Sequence, residues 1–90
     1  MAASRNYFME ETKGRILFID DDRETCELVQ LQLDFAGYHS VAATTVREGL
    51  KLARTDRFDL ILLDWHFQDG TGIELCKMIR EFDGNTPILF

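Results

Sequence analysis

Two stretches decide the fold of this chain: Arg15-Ile16-Leu17-Phe18-Ile19-Asp20-Asp21-Asp22 and Phe58-Asp59-Leu60-Ile61-Leu62-Leu63-Asp64. Each is a near-continuous apolar run that breaks abruptly into carboxylates. Runs of this length without polar alternation read as strands buried on both faces, the pattern of interior strands in a parallel sheet. Between and beyond them the chain alternates. Asp22 to Glu24 open a helix, with acids favourable at its N-terminus. Cys26, Val29, Leu33 and Ala36 recur at helical spacing, and Gly37 is a stop signal. Tyr38–Ala42 is a short second strand. Thr44 or Thr45 caps a second helix that carries Val46, Leu50 and Ala53 on one face.

After Asp64 the spacing predicts a loop over Trp65–Thr71, with Gly70 and Gly72 marking turns. A third helix is expected from about Gly72 to Phe82, burying Ile73, Cys76 and Ile79. Asp83-Gly84-Asn85 is a turn, and Pro87-Ile88-Leu89-Phe90 begins a fourth apolar strand. Strands and helices in strict alternation imply right-handed βαβ units: an α/β chain with an open parallel sheet and helices on both faces. Residues 1–13 read as a flexible lead-in and residues 14–90 as the folded portion. No repeat or low-complexity segment interrupts the pattern.

Composition bounds what such a fold can do. Ninety residues make one small domain, and a hydrophobic share of 46% is enough for a core. Sixteen acidic against ten basic residues leave a net charge of -6, the wrong balance for a nucleic-acid surface. Cys26 and Cys76 lie on different helices, outside any metal-ligand spacing, and read as small core residues in a reducing compartment. No apolar run approaches the roughly 18 residues that span a bilayer, and no signal-peptide core is present, so a cytoplasmic location is expected.

The carboxylates at the strand ends carry the chemistry. Ligands of open α/β sheets bind beyond the C-terminal ends of the strands, where strand order reverses. With order 2-1-3-4 the first and third strands are neighbours, and Asp20, Asp21 and Asp64 meet in one crevice. Two carboxylates about 4 Å apart repel by roughly 4 kcal/mol at a surface-like dielectric. Three in one place call for a counter-charge, and a hard divalent cation such as Mg²⁺ suits a few carboxylates plus waters and phosphate oxygens. A carboxylate there can also attack phosphorus and become an aspartyl phosphate. Asp64 stands alone at its strand end and is the nucleophile candidate, while the paired Asp20 and Asp21 suit metal holding.

With these residues in place, the sequence resembles the receiver domain of two-component response regulators. The matching stretches are Ile16–Asp22, Phe58–Trp65, Asp69–Leu75 and Thr86–Phe90, and the resemblance covers residues 15–90. It implies a flavodoxin-like sheet and signalling rather than enzymatic work. Asp64 matches the phosphoryl acceptor, Asp21 the direct Mg²⁺ ligand and Asp20 its partner. His66 falls where the family uses a backbone carbonyl as a further metal ligand. The implied phosphoryl donor is a sensor histidine kinase or phosphotransfer protein. Gln68 stands where the family pattern has Pro, which predicts a less rigid loop.

The resemblance also places a Thr or Ser two positions after Phe90, and a Lys, a fifth strand and the last helices beyond it. The fourth strand is then an uncovered edge. A fragment of a longer regulator is the favoured explanation, and a homodimer formed through that edge the competing one. Two other functions compete. Asp20-Asp21-Asp22 contains the D-x-D spacing of haloacid-dehalogenase-type phosphatases, though Glu24 sits where that family has Thr or Val. A degenerate receiver would keep the acids and act only as an interaction scaffold.

Overall fold

A computed structural model describes residues 12–90. Most of the expected lead-in lies outside the described residues. Lys13, at its end, is tied in, donating its backbone N–H to the Gly37 carbonyl at 2.9 Å. The chain runs β1 (Arg15–Ile19), α1 (Arg23–Phe35), β2 (His39–Ala43), α2 (Val46–Thr55), β3 (Leu60–Leu63), β4 (His66–Phe67), β5 (Gly70–Thr71), α3 (Gly72–Arg80) and β6 (Ile88–Leu89). Four strands form one parallel sheet in the order β2-β1-β3-β6. This is the expected 2-1-3-4 order of a flavodoxin-like sheet, with β6 as the fourth strand. The two apolar runs that broke into acids are its interior strands, paired from Ile16 with Leu60 to Ile19 with Leu63.

Local chemistry sets the helix ends. Gly37 adopts φ +96°, a left-handed conformation that ends α1 at little cost for glycine. Of the two expected caps for α2, Thr45 does the work: its hydroxyl accepts the Glu48 N–H at 3.0 Å, while the Glu48 carboxylate accepts the Thr44 N–H at 3.1 Å. α3 opens with a capping box, in which Thr71 and Glu74 exchange side-chain to backbone hydrogen bonds. Asp22 makes no such bond to the first turn of α1, and its carboxylate takes the Thr25 hydroxyl instead.

Right-handed crossovers that leave β1 toward β2 and then return to β3 put α1 on one face of the sheet and α2 and α3 on the other. The core lies under α2 and α3. It comprises Leu17, Ile19, Ala43, Val46, Ile61, Leu63, Phe67, Leu75 and Ile79, and full burial of one such large side chain is worth roughly 2 kcal/mol. On the α1 side, Cys26 is buried, and an apolar groove of about 400 Å³ is lined by Ile16, Leu33, Tyr38, Leu60 and Leu62 with Lys13, Gly14 and Asp59. Both cysteines are free, Cys76 only half-buried. Among the described residues, no helix is long and apolar enough to cross a membrane.

Five expectations need correction. The predicted loop Trp65–Thr71 contains a small antiparallel hairpin, β4 with β5. α3 stops at Arg80, and Phe82 lies beyond it with Arg54 over its ring at 5.3 Å. Ile73 is 47% exposed, whereas Leu75 is fully buried, so α3 is rotated relative to the expected face. Ala36 is exposed at the C-cap of α1, and β2 begins one residue late, at His39.

Candidate functional site

The backbone hydrogen-bond ladder carries on one residue past the strands. The Asp20 N–H donates to the Ala43 carbonyl at 3.0 Å, and the Asp64 N–H to the Ile19 carbonyl at 2.9 Å. Asp20 and Asp64 therefore leave neighbouring strands at the same level, held by main-chain bonds rather than by loop conformation. Asp21 follows on the exposed side. One carboxylate oxygen from each of Asp20, Asp21 and Asp64 lies within 4.8 Å of the others. Asp20 and Asp64 are half-buried and Asp21 is exposed, so the cluster opens to solvent. The buried Cys26 thiol donates to the Asp20 carbonyl from beneath, at 3.3 Å.

Electrostatically the cluster is unsatisfied. Burial pushes the Asp20 carboxyl above its ordinary range, and the neighbouring Asp64 and Asp21 charges push it the same way. The Asp22 N–H, donating to Asp20 Oδ1 at 2.9 Å, works against them. Among the described residues none of the three acids forms an ion pair. The donor set is all oxygen, carries excess negative charge and has an open side, which fits a hard cation that keeps waters.

The segment after Asp64 is built tightly. The Gly72 N–H donates to the Trp65 carbonyl at 2.9 Å. A Cβ at Gly72 would stand 2.2 Å from the Asp64 carbonyl oxygen, so only glycine fits there. The Trp65 ring stacks on Phe90 with centroids 4.8 Å apart. His66 lies in β4 with its side chain exposed, and Phe67 beside it is buried in the core. At the hairpin tip the Asp69 carboxylate accepts the N–H groups of Val46 and Arg47, and these bonds, the Val46 one first, hold its carboxyl below the usual range.

The structure thus brings together all three acids picked from the sequence. Sequence reasoning missed two supporting residues, Gly72 and Asp69. The sequence marks the first only as a turn and the start of the third helix, with no sign of its close approach to Asp64. The second bonds to a helix more than twenty residues away, beyond the reach of local capping rules.

Comparison with known proteins agrees with this architecture. The model of the response regulator receiver domain matches residues 16–90. The alkaline phosphatase synthesis transcriptional regulatory protein PhoP of Bacillus subtilis is 39% identical over 75 residues, which are 83% of this chain and 31% of that protein. The chain thus spans about a third of the length of the curated relatives it matches. Among solved structures, the non-phosphorylated HemR receiver domain of Leptospira biflexa superposes with a TM-score of 0.81 at 36% identity, covering 87% of this chain and 63% of that one. The response regulator TrrA of Thermotoga maritima, solved in complex with Mg²⁺-BeF, gives 0.79 at 31% identity over 82% of this chain and 64% of its own. TrrA has also been solved with the histidine kinase ThkA, at a TM-score of 0.78 with the same identity and coverage. With a matching family model over most of its length and relatives well above 30% identity, this chain belongs to the response regulator receiver domain family.

Proposed function

We propose that the chain is the phosphoryl-accepting module of a two-component phosphorelay, with Asp64 as the acceptor. The observation that carries this reading is the convergence of three carboxylates from two adjacent strand ends, oxygens within 4.8 Å of one another, with no cationic partner among the described residues. Asp20, Asp21 and Asp64, together with the His66 backbone carbonyl, would hold Mg²⁺. Bound there, the cation would neutralise phosphoryl oxygens as charge develops on them. The chain's own contribution is positional. The bond from Asp64 to the Ile19 carbonyl and the close contact at Gly72 keep the acceptor's main chain from yielding, so its carboxylate meets phosphorus without reorganisation.

A carboxylate oxygen of Asp64 attacks the phosphoryl group, the bond from phosphorus to the donor breaks, and the donor leaves as a histidine or, with a small donor, as acetate. The kinase complex of TrrA supports a sensor histidine kinase or phosphotransfer protein as the partner. The groups that would hold the metal, the three carboxylates and the His66 carbonyl, all lie within the described residues. Uptake also draws on the hydroxyl and ammonium groups that the resemblance places beyond Phe90. The unpaired side of β6 at the edge of the sheet would be the contact of a homodimer, which light scattering would register as a doubled mass.

The test is incubation with Mg²⁺ and acetyl phosphate, followed by intact mass. The expected result is gain of one acid-labile phosphoryl group, abolished by Asp64→Ala. Incorporation that survives this change but is lost in Asp20→Ala would indicate the phosphatase-type nucleophile. No incorporation would leave the scaffold reading.

A further inference from the structure

The β4–β5 hairpin is too short to hold itself. Each strand pairs through two residues only, and isolated hairpins are marginal even when longer. Its conformation depends on outside attachments. Phe67 is inserted in the core, and the Gly72 N–H holds the Trp65 carbonyl near the base. The third attachment, at the tip, is Asp69. Its Oδ1 accepts the Val46 N–H at 3.0 Å and its Oδ2 the Arg47 N–H at 3.2 Å.

These are the first two N–H groups of α2, which the helix itself leaves without partners. Thr45 already takes the third. Val46 is buried in the core, so the two-oxygen grip of Asp69 fastens the hairpin tip to a fixed point of α2. Asp69 also lines one cleft of about 340 Å³ with Asp21, Thr44, Thr45 and Gln68. The grip therefore closes a wall of the space next to a metal-site carboxylate.

We propose that Asp69 is a positioning residue: by fastening the hairpin tip to the start of α2, it holds the segment that carries His66 against the acidic cluster and so sets the cation affinity of the site. The inference rests on the proposed function, because it takes the His66 main chain as part of the cation site. It also explains how the hairpin stays ordered with Gln68 where the family pattern has proline. Two hydrogen bonds supply the stiffness that a ring would otherwise give.

The test uses the full 90-residue chain and Mg²⁺ alone. Trp65 is the single tryptophan and adjoins Asp64, so its fluorescence reports cation binding. Asp69→Ala should weaken Mg²⁺ binding roughly tenfold, the lower range for losing an outer-shell partner of a metal site. Asp69→Asn keeps one acceptor oxygen and should fall between. Asp83→Ala removes a comparable carboxylate from the opposite edge of the sheet and serves as the stability control. It should leave Mg²⁺ affinity within about twofold, as a distant independent site does. Without metal, Asp69→Ala should speed amide exchange at Val46, Arg47 and residues 66–71 together, whereas mere loss of a cap would speed only the first two. Unchanged affinity in Asp69→Ala, or an equal loss in Asp83→Ala, overturns this inference while leaving the proposed function standing. A wild-type chain whose Trp65 does not respond to Mg²⁺ and whose mass gains no phosphoryl group overturns both.

Discussion

The two edges of the sheet treat their acids in opposite ways. At the N-terminal edge Asp56, Asp59 and Asp83 all have partners. Asp59 accepts the Arg15 N–H at 2.8 Å, and Asp56 pairs with the Arg15 guanidinium at 3.7 Å. Asp83 takes the N–H groups of Asn85 and Thr86 together with the Thr86 hydroxyl, which hold its carboxyl down to about 2. At the C-terminal edge Asp20, Asp21 and Asp64 crowd one another, and burial and mutual repulsion raise Asp20 instead. Asp59 and Asp83 spend their carboxylates on backbone hydrogen bonds, while the clustered acids have no cationic partner among the described residues. Asp20 is displaced upward by burial and like charge, and Asp83 downward by its hydrogen bonds.

Packing differs in the same sense, and glycine is the sharpest way to break the comparison. At Gly72, on the C-terminal edge, an added Cβ runs into the Asp64 carbonyl, a main-chain atom that cannot move aside. Gly72→Ala should cost about 3 kcal/mol, toward the upper range for overpacking, read as a lowered denaturant midpoint. At Gly84, on the other edge, a Cβ meets nothing within 4 Å and φ is not positive. Gly84→Ala should stay within about 0.5 kcal/mol of wild type. Equal losses at the two positions would contradict the contrast.

A smaller effect of opposite sign should follow from Asp20→Asn. The amide oxygen can still accept the Asp22 N–H, while the charge disappears. Repulsion of a few kcal/mol at an effective dielectric near 20, cut severalfold by solvent, leaves a gain of about 1 kcal/mol at neutral pH. Because the folded-state carboxyl is raised, the penalty builds as pH rises past 3.8 and is complete above the folded titration. The gain should therefore vanish in acid, below 3.8. A variant that loses Mg²⁺ binding yet melts higher is the expected signature, and one that melts lower would show that the acid is structural.

The smallest effect lies at Asp83. Its folded value of about 2 against 3.8 means its stabilisation is complete above 3.8 and is lost as pH falls through 2. Acid denaturation curves of wild type and Asp83→Asn should differ at neutral pH and converge over that window. A constant gap down to the lowest pH would rule out the carboxylate charge as the cause.

Much of this was legible in the chain itself. β1 and β3 announced themselves as interior strands because both faces are apolar, and their carboxylate endings placed the acidic cluster. The missed features share one cause, an interaction without a local signal. Ile73, Cys76 and Ile79 are spaced for a helix face, yet Gly72, Leu75 and Ile79 are the buried positions of α3. Gly72 lies too close to the Asp64 carbonyl to carry a side chain, and glycine contributes nothing to a hydrophobic pattern. The hairpin was invisible for a related reason. Two-residue strands carry no period, and Asp69 finds its partners through the fold rather than through its neighbours.

The contact at Gly72 has a mechanical consequence. α3 is about 13 Å long at 1.5 Å per residue, and its first residue lies too close to the Asp64 carbonyl to carry a side chain. The helix is thus a lever whose fulcrum lies beside Asp64 of the acidic cluster. A tilt of about 5° at Gly72 would carry the far end, at Arg80, through about 1 Å. Arg80 grips the Asp83 carbonyl at 3.0 Å, so the far end of that lever is tied to the turn that follows it.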